Sequence, residues 1–242
     1  MEYEQKAFNE MRLWQQQMVR DPSLLNGLSK KLQKKINSYI PEKLHRAITS
    51  TIKQMIRGVL FGVKLAAREP AAIITLKETE EAAELIIKKH RKTGAVEGGI
   101  TGAGGILMGL ADFPLLIGIK FKMLFDLAAV YGFDVRDYRE RVYLLYIFQL
   151  AFSSQEHRKQ IFQQIENWET LKQNLPENIN DFDWRSFQQE YRDYIDLVKM
   201  AQLIPGIGAV VGVIANYSLL NKLGSTAMNC YRMRLYESGN KP

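Results

Sequence analysis

The stretch Gly94–Phe133 constrains this chain more than any other. It reads GAVEGGITGAGGILMGLADFPLLIGIKFKMLFDLAAVYGF, and from Ile100 to Ile119 its one charged residue is Asp112, followed by Phe113 and Pro114. A helix crosses a bilayer with roughly 20 apolar residues, so the segment stands between a buried core helix and a membrane segment. Gly98, Gly99, Gly102, Gly104, Gly105 and Gly109 precede or open the apolar run. Glycines so spaced suit close helix–helix contact, a hinge between helical layers, or a phosphate-cradling loop. The loop needs a preceding strand and a following lysine–serine/threonine pair. This chain has neither there, which leaves the first two readings open.

The stretch has an echo. An offset of 104 residues lays Gly102-Ala103-Gly104 on Gly206-Ile207-Gly208, Ala111-Asp112-Phe113 on Ala215-Asn216-Tyr217, and Leu115-Leu116 on Leu219-Leu220. Two apolar hairpins packed through their glycines would form a compact centre, and coincidence between alanine- and leucine-rich helices is the alternative. In the paired arrangement Asp112 and Asn216 are polar groups in apolar surroundings. A buried charge must be paired or neutralised, and Lys120, Lys122, Lys199 and Lys222 are candidate partners.

Around this centre the periodicity is helical. Phe8, Met11, Trp14 and Met18, with Leu13 offset, place an apolar stripe on a first helix from Glu2 to Val19, ended by Asp21-Pro22. Pro41 can open a second, since proline at the first turn loses no hydrogen bond. Its apolar positions are Leu44, Ile48, Ile52, Met55, Val59, Leu60 and Val63, and it ends near Arg68. A third helix, Ala71–Lys92, carries acids early and bases late, as the helix dipole favours. That polarity accounts for both charge runs and leaves His90 without a role. Gly94, Gly98 and Gly99 then loosen the chain. After the glycine-rich centre, Gly132 can end a helix and Asp134 can cap Val135–Phe152, an aromatic-rich helix of the kind buried on most sides. Ser153 or Ser154 caps the next helix, to about Trp168. Residues 169–183 read as a polar loop and a weak boundary. A long helix then runs to Pro205, and a last one from Ile207 to about Tyr236.

The expected fold is therefore all-α: a single multi-helix domain over residues 1–242, with about eight or nine helices, two glycine-rich apolar helical hairpins at its centre, and no sheet. A chain of 242 residues can bury a core without metals or disulfides. Its single cysteine, Cys230, excludes a disulfide framework and favours a reducing compartment. The polar N-terminus lacks the pattern of a signal peptide, and a cytoplasmic location is expected.

Charge gives the strongest functional pattern. The net charge is +7, and from Lys30 to Lys64 nine lysines and arginines face one acid, Glu42. Lys30, Lys31, Lys34 and Lys35 form a cluster beside an amphipathic helix bearing Arg46, Lys53, Arg57 and Lys64. Such a helix can lie on an anionic membrane surface or touch nucleic acid phosphates, or it is an ordinary solvated face. Nucleic acid ranks last, because no recognised nucleic-acid-binding motif accompanies the charge. Catalytic signatures are missing. His45, His90 and His157 are far apart, no metal-ligand spacing or GxSxG turn occurs, and most acids fall on solvated faces. Glu190, Asp193 and Asp196 share a helix face but lack the Glu-x-x-His companions of a di-iron bundle. No cofactor and no metal are expected. An enzyme of unknown reaction, with a polar pocket near Asp112 and Asn216, is the contrasting reading, and membrane insertion of the glycine-rich hairpins is a third.

The segment from Gly94 to Asp134, with TGAGG at Thr101–Gly105 and LADFPLLI at Leu110–Ile117, resembles the signature region of the EcsC family. Leu203–Ala209, continuing to Ala215-Asn216, resembles that family's second glycine-rich region, and the likeness extends over nearly the whole chain. It marks Gly102, Gly104, Asp112, Pro114, Pro205, Gly208 and Asn216 as family-like core positions. In that family the founding member is encoded beside the ATPase and membrane subunits of an ABC exporter. The resemblance thus implies an accessory protein, with exporter subunits as partners, peripheral at the inner face of the cell membrane. It supplies no catalytic residues.

Overall fold

The computed structural model describes residues 2–20, 42–61, 68–72, 75–101, 105–153, 155–183, 185, 187 and 209–237. Within its helices, side chains are described except at 42–48, 94–101, 105–113, 116, 155–156 and 209–216. Among the described residues there are eight α-helices: α1 (Glu2–Val19), α2 (Glu42–Phe61), α3 (Leu76–Thr101), α4 (Gly105–Val130), α5 (Tyr138–Phe152), α6 (Gln155–Glu166), α7 (Trp168–Asn174) and α8 (Ala209–Glu237). A short 3-10 turn, Ile179–Asp181, follows α7. The described residues contain no strand, and the fold is all-α.

Helix α5 is the axis. Every residue from Tyr138 to Phe152 except Arg139 is buried. A helix that is apolar nearly all round must be covered on all sides, and α2, α4, α6 and α8 pack around it. Its N-terminus is capped by Asp137, whose carboxylate accepts from the Arg139 N–H at 2.9 Å. Asp134, the residue the sequence pointed to, instead accepts from the backbone and side chain of Arg136. The helix therefore starts three residues later than expected. Gly132 does end α4, at φ 79°, the left-handed region that glycine enters without strain.

Arg141 ties α5 to its surroundings. Its guanidinium is buried and donates to the carbonyls of Leu60 (3.0 Å), Val135 (2.8 Å) and Arg136 (2.7 Å). The Leu60 carbonyl lies near the described end of α2, and a charged donor makes a strong bond to it. Helix α2 itself follows its predicted stripe, with Ile52, Met55, Val59 and Leu60 buried.

Helix α3 departs from expectation at both ends. It begins at Leu76, not Ala71, because Thr75 caps it: its Oγ1 accepts from the Glu78 N–H and donates to the Glu78 carboxylate. Thr-Leu-Lys-Glu has capping-box spacing, a signal that was legible. At the other end the helix runs through Gly94, Gly98 and Gly99 to Thr101. Each glycine costs a helix interior about 1 kcal/mol, and packing against α4 and α8 outweighs that propensity. Helix α4 likewise continues through Pro114 without interruption. Residues 169–183, expected as a loop, contain most of α7 and return to the core. Trp168 at its head is buried against Tyr143 at 4.9 Å, and the Tyr138 hydroxyl donates to the Pro176 carbonyl.

Helices α4 and α8 carry the described parts of the two echo segments and pack on each other. Gly102, Gly104, Pro205 and Gly208, which would define the hairpin turns, lie outside the described residues, as does the helix expected before Pro205 and with it Glu190, Asp193 and Asp196. One glycine contact of the expected kind is visible elsewhere. Helix α8 runs antiparallel to α3 and approaches it at Gly224, where an added Cβ would sit 2.6 Å from Ile87 Cδ1 and 2.7 Å from its Cγ1. Gly224→Val should therefore destabilise the protein by about 1–3 kcal/mol through overpacking. Ile87→Ala in the same chain should recover part of that loss in urea denaturation. Additive losses in the double variant would show that the two sites do not meet.

Candidate functional site

Among the described residues, three buried charge clusters, two of the openings and one basic face are the features from which a site could be built. The first cluster joins α3 to α8. Glu80 is fully buried and takes a bidentate pair from Arg232, Nε to Oε1 at 2.5 Å and Nη2 to Oε2 at 2.6 Å. Tyr3 of α1 donates to the same carboxylate at 2.7 Å. The helix-dipole explanation of α3's charges thus fails for Glu80, which faces the core. The second cluster joins α5, α7 and α8. Arg234 reaches Glu140 at 2.6 and 3.0 Å, and Lys172 reaches it at 2.7 Å. Burial would raise the Glu140 pKa, but the bonds and charges of Arg234 and Lys172 outweigh it and hold it below the usual range. The Arg234 guanidinium also lies over the Phe133 ring, 3.9 Å from its centroid.

The third cluster surrounds Asp126 on α4. Arg68 Nε is 3.0 Å from Oδ1, Lys122 binds the same oxygen, and His90 Nε2 is 3.1 Å from Oδ2. Burial again pushes the carboxyl pKa up, and hydrogen bonds from His90 and Lys122 with the charges of Lys122 and Arg68 bring it below normal. His90 therefore has a structural partner, and Lys122, a candidate for Asp112, is engaged with Asp126. Two turns of sequence around it show a different cation: Lys120 is buried, and desolvation pulls its pKa down to about 7. In each cluster the carboxylate is committed to hydrogen bonds from cationic side chains that join helices, an arrangement suited to structure more than to proton transfer. Among the described residues no three His, Cys, Asp or Glu side chains converge as a metal site.

The larger opening, about 1090 Å³, lies between α1, α3 and α8. Arg91 spans it, with its guanidinium 3.6 Å from the Tyr217 ring centroid and a 3.0 Å bond to Asn221. Its described lining holds one serine, Ser225, and neither histidine nor cysteine, so no serine–histidine or cysteine–histidine pair forms there. The smaller opening, about 410 Å³, is a groove between α2 and α4. Met55, Val59, Ile117, Phe121 and Phe125 line it, and among the described residues Lys122 is its one ionisable lining residue.

The predicted docking residues fall as follows. Lys53 and Arg57 are exposed on α2, turned away from its buried stripe. Arg46 is on the same helix, with its side chain outside the described set. Lys30, Lys31, Lys34, Lys35 and Lys64 lie outside the described residues. Two large apolar side chains stand exposed beside the groove: Phe61 at the end of α2, 51% exposed, and Leu115 on α4, 56% exposed. Pro114 is also exposed and lines the groove. Asp112 is on α4 and Asn216 on α8, with side chains outside the described set.

Comparison with known proteins finds a match to the model of the EcsC protein family over residues 5–236. Protein EcsC of Bacillus subtilis (strain 168) is 47% identical over 223 residues, covering 92% of each chain. An uncharacterized protein of the same organism, YdbA, is 32% identical over 157 residues, 64% of this chain and 57% of its own length. No solved structure matches.

The charge clusters yield two expectations. Glu140→Leu should cost about 3–5 kcal/mol, because Arg234 is left buried with its main partner gone, whereas Glu140→Leu with Arg234→Met should cost less. Chemical denaturation of the two variants checks this. For Lys120 the folded pKa lies below the unfolded value of 10.5. The unfolded chain thus binds more protons between about pH 7 and 10, and stability should rise with pH there by up to about 1.4 kcal/mol per unit. Lys120→Met should flatten that rise between pH 7 and 9.

Proposed function

The chain belongs to the EcsC protein family, and from that premise we propose that it is a non-catalytic accessory protein that docks at the cytoplasmic face of the membrane beside an ABC exporter. The observation that carries the docking part is the α2 side of the molecule. Lys53 and Arg57 are exposed there, Phe61 exposes a large apolar group one turn beyond Arg57 on the same helix, and Leu115 exposes another on the neighbouring α4. Cations attract anionic headgroups at about 1 kcal/mol each, and exposed apolar side chains enter the interfacial layer. No helix among the described residues is long and apolar enough to cross a membrane. The exporter part rests on the family resemblance carried by the two glycine-rich regions. The buried charge clusters support the non-catalytic part, since their carboxylates are committed to cations that join helices.

Vesicle co-sedimentation tests docking. The protein should sediment with phosphatidylglycerol-containing vesicles at low salt, much less at high salt, and little with phosphatidylcholine alone. Lys53→Glu with Arg57→Glu should weaken the association about 10- to 100-fold. Equal, negligible sedimentation throughout would sink the proposal, and retention in native membranes after alkaline carbonate would replace docking by insertion. Affinity purification from native cells should recover exporter subunits.

A further inference from the structure

The groove between α2 and α4 has a shape and lining that surface docking alone does not require. Along α4 it extends from Pro114 to Phe125, which is about 16 Å at the helical rise per residue. One leaflet of a bilayer has a hydrocarbon half-thickness of about 15 Å. The walls are deepened at Gly58 on α2 and Gly118 on α4, where an added Cβ would meet nothing within 4 Å. Six of the described lining side chains are apolar, Met55, Val59, Pro114, Ile117, Phe121 and Phe125, beside the uncharged Thr51 and Gln54. A lining of this kind suits a hydrocarbon chain.

Charge marks one end. Lys122 is the one ionisable residue in the described lining, and no acid accompanies it there. Its ammonium has three donors, of which the bond to Asp126 takes one. Arg68, 56% exposed, bonds to the same Asp126 oxygen as Lys122, so the cluster at this end carries a cationic excess of one even with His90 neutral.

We propose that this groove takes one acyl chain of an anionic phospholipid, with the phosphate at Lys122. The proposal rests on the membrane-docking reading and deepens it: charge on α2 brings the protein to the surface, and the groove then holds a single lipid. The occupant is argued from charge complementarity and from the match of groove length to one acyl chain. A transmembrane helix of a partner would not need a cation at one end of its seat.

Equilibrium dialysis with myristoyl lysophosphatidylglycerol below its micellar concentration tests it, with the phosphatidylcholine analogue as control. The native protein should bind the anionic lipid at least tenfold more tightly than the zwitterionic one. Gly118→Leu puts a side chain where an added Cβ meets nothing within 4 Å, and leucine is a better helix former than glycine. It should reduce binding at least tenfold with its helical circular dichroism unchanged. Gly58→Leu, from the opposite wall, should do the same, and Lys122→Gln should abolish the preference for the anionic headgroup. Unchanged binding in both leucine variants, or equal affinity for the two lipids, would overturn the proposal. Low-salt vesicle sedimentation is measured in parallel. If vesicles bind but the lysolipid does not, docking stands and the groove proposal falls. If the lysolipid binds in the groove and vesicles do not, the reverse holds.

Discussion

The ion pair between Glu140 and Arg234 is the contact on which the arrangement of helices depends. Helix α5 is buried on nearly every side, yet it carries Glu140 and Arg141 into the core. A buried charge is tolerated only when paired and hydrogen-bonded. Arg234 supplies that pairing from the last turns of α8, and Lys172 supplies a second cation from α7. The same Arg234 packs on Phe133 and Tyr143, so its position is set by ring contacts as well as by charge. Arg141 meets the parallel demand by donating to carbonyls at the end of α2 and in the loop before α5. Around one fully covered helix, three others are thereby held by buried or half-buried polar groups, and Arg234 adds a bond to Glu169 on α7.

The second pair, Glu80 with Arg232, sets the register of α3 against α8. Two guanidinium bonds to one carboxylate fix distance and angle together, and a shift of one helical turn would separate them. Gly224 sits two turns away on α8 and lets Ile87 approach the backbone. Close approach and buried pairing therefore agree on one antiparallel alignment, and agreement of this kind distinguishes a single packing from its neighbours.

Pairing in the interior also bears on the surface. Of the residues that give the chain its net charge of +7, Arg232, Arg234 and Lys172 are balanced by buried or adjoining acids. Arg141 is buried on carbonyl oxygens instead, while other cations, among them Lys53 and Arg57, are exposed. Asp126 stands between the two regimes. It is buried, but the cations around it, Lys122 and Arg68, are partly exposed, and Lys122 borders the apolar groove. A core requirement, neutralising one carboxylate, thus places a cation at the end of a surface groove.

Periodicity alone determined that this chain is all-helical and that Ile52, Met55, Val59 and Leu60 on α2, and the aromatic run of α5, face a core. Those features are local: an apolar stripe repeats with the helix whatever it packs against. The cap at Thr75 was equally legible from Thr-x-x-Glu spacing. The tertiary structure decided the rest. It showed that α3 runs through Gly94, Gly98 and Gly99, because contacts with α4 and α8 exceed the cost of glycine. It showed that residues 169–174 pack as a helix, because Trp168 and Lys172 find partners on α5. Above all it separated Glu80, Asp126 and Glu140 from acids on solvated faces. A carboxylate on a helix reads the same in sequence whether it meets water or an arginine brought from 152 residues away, since the meeting depends on how the helices pack and not on the spacing along either one.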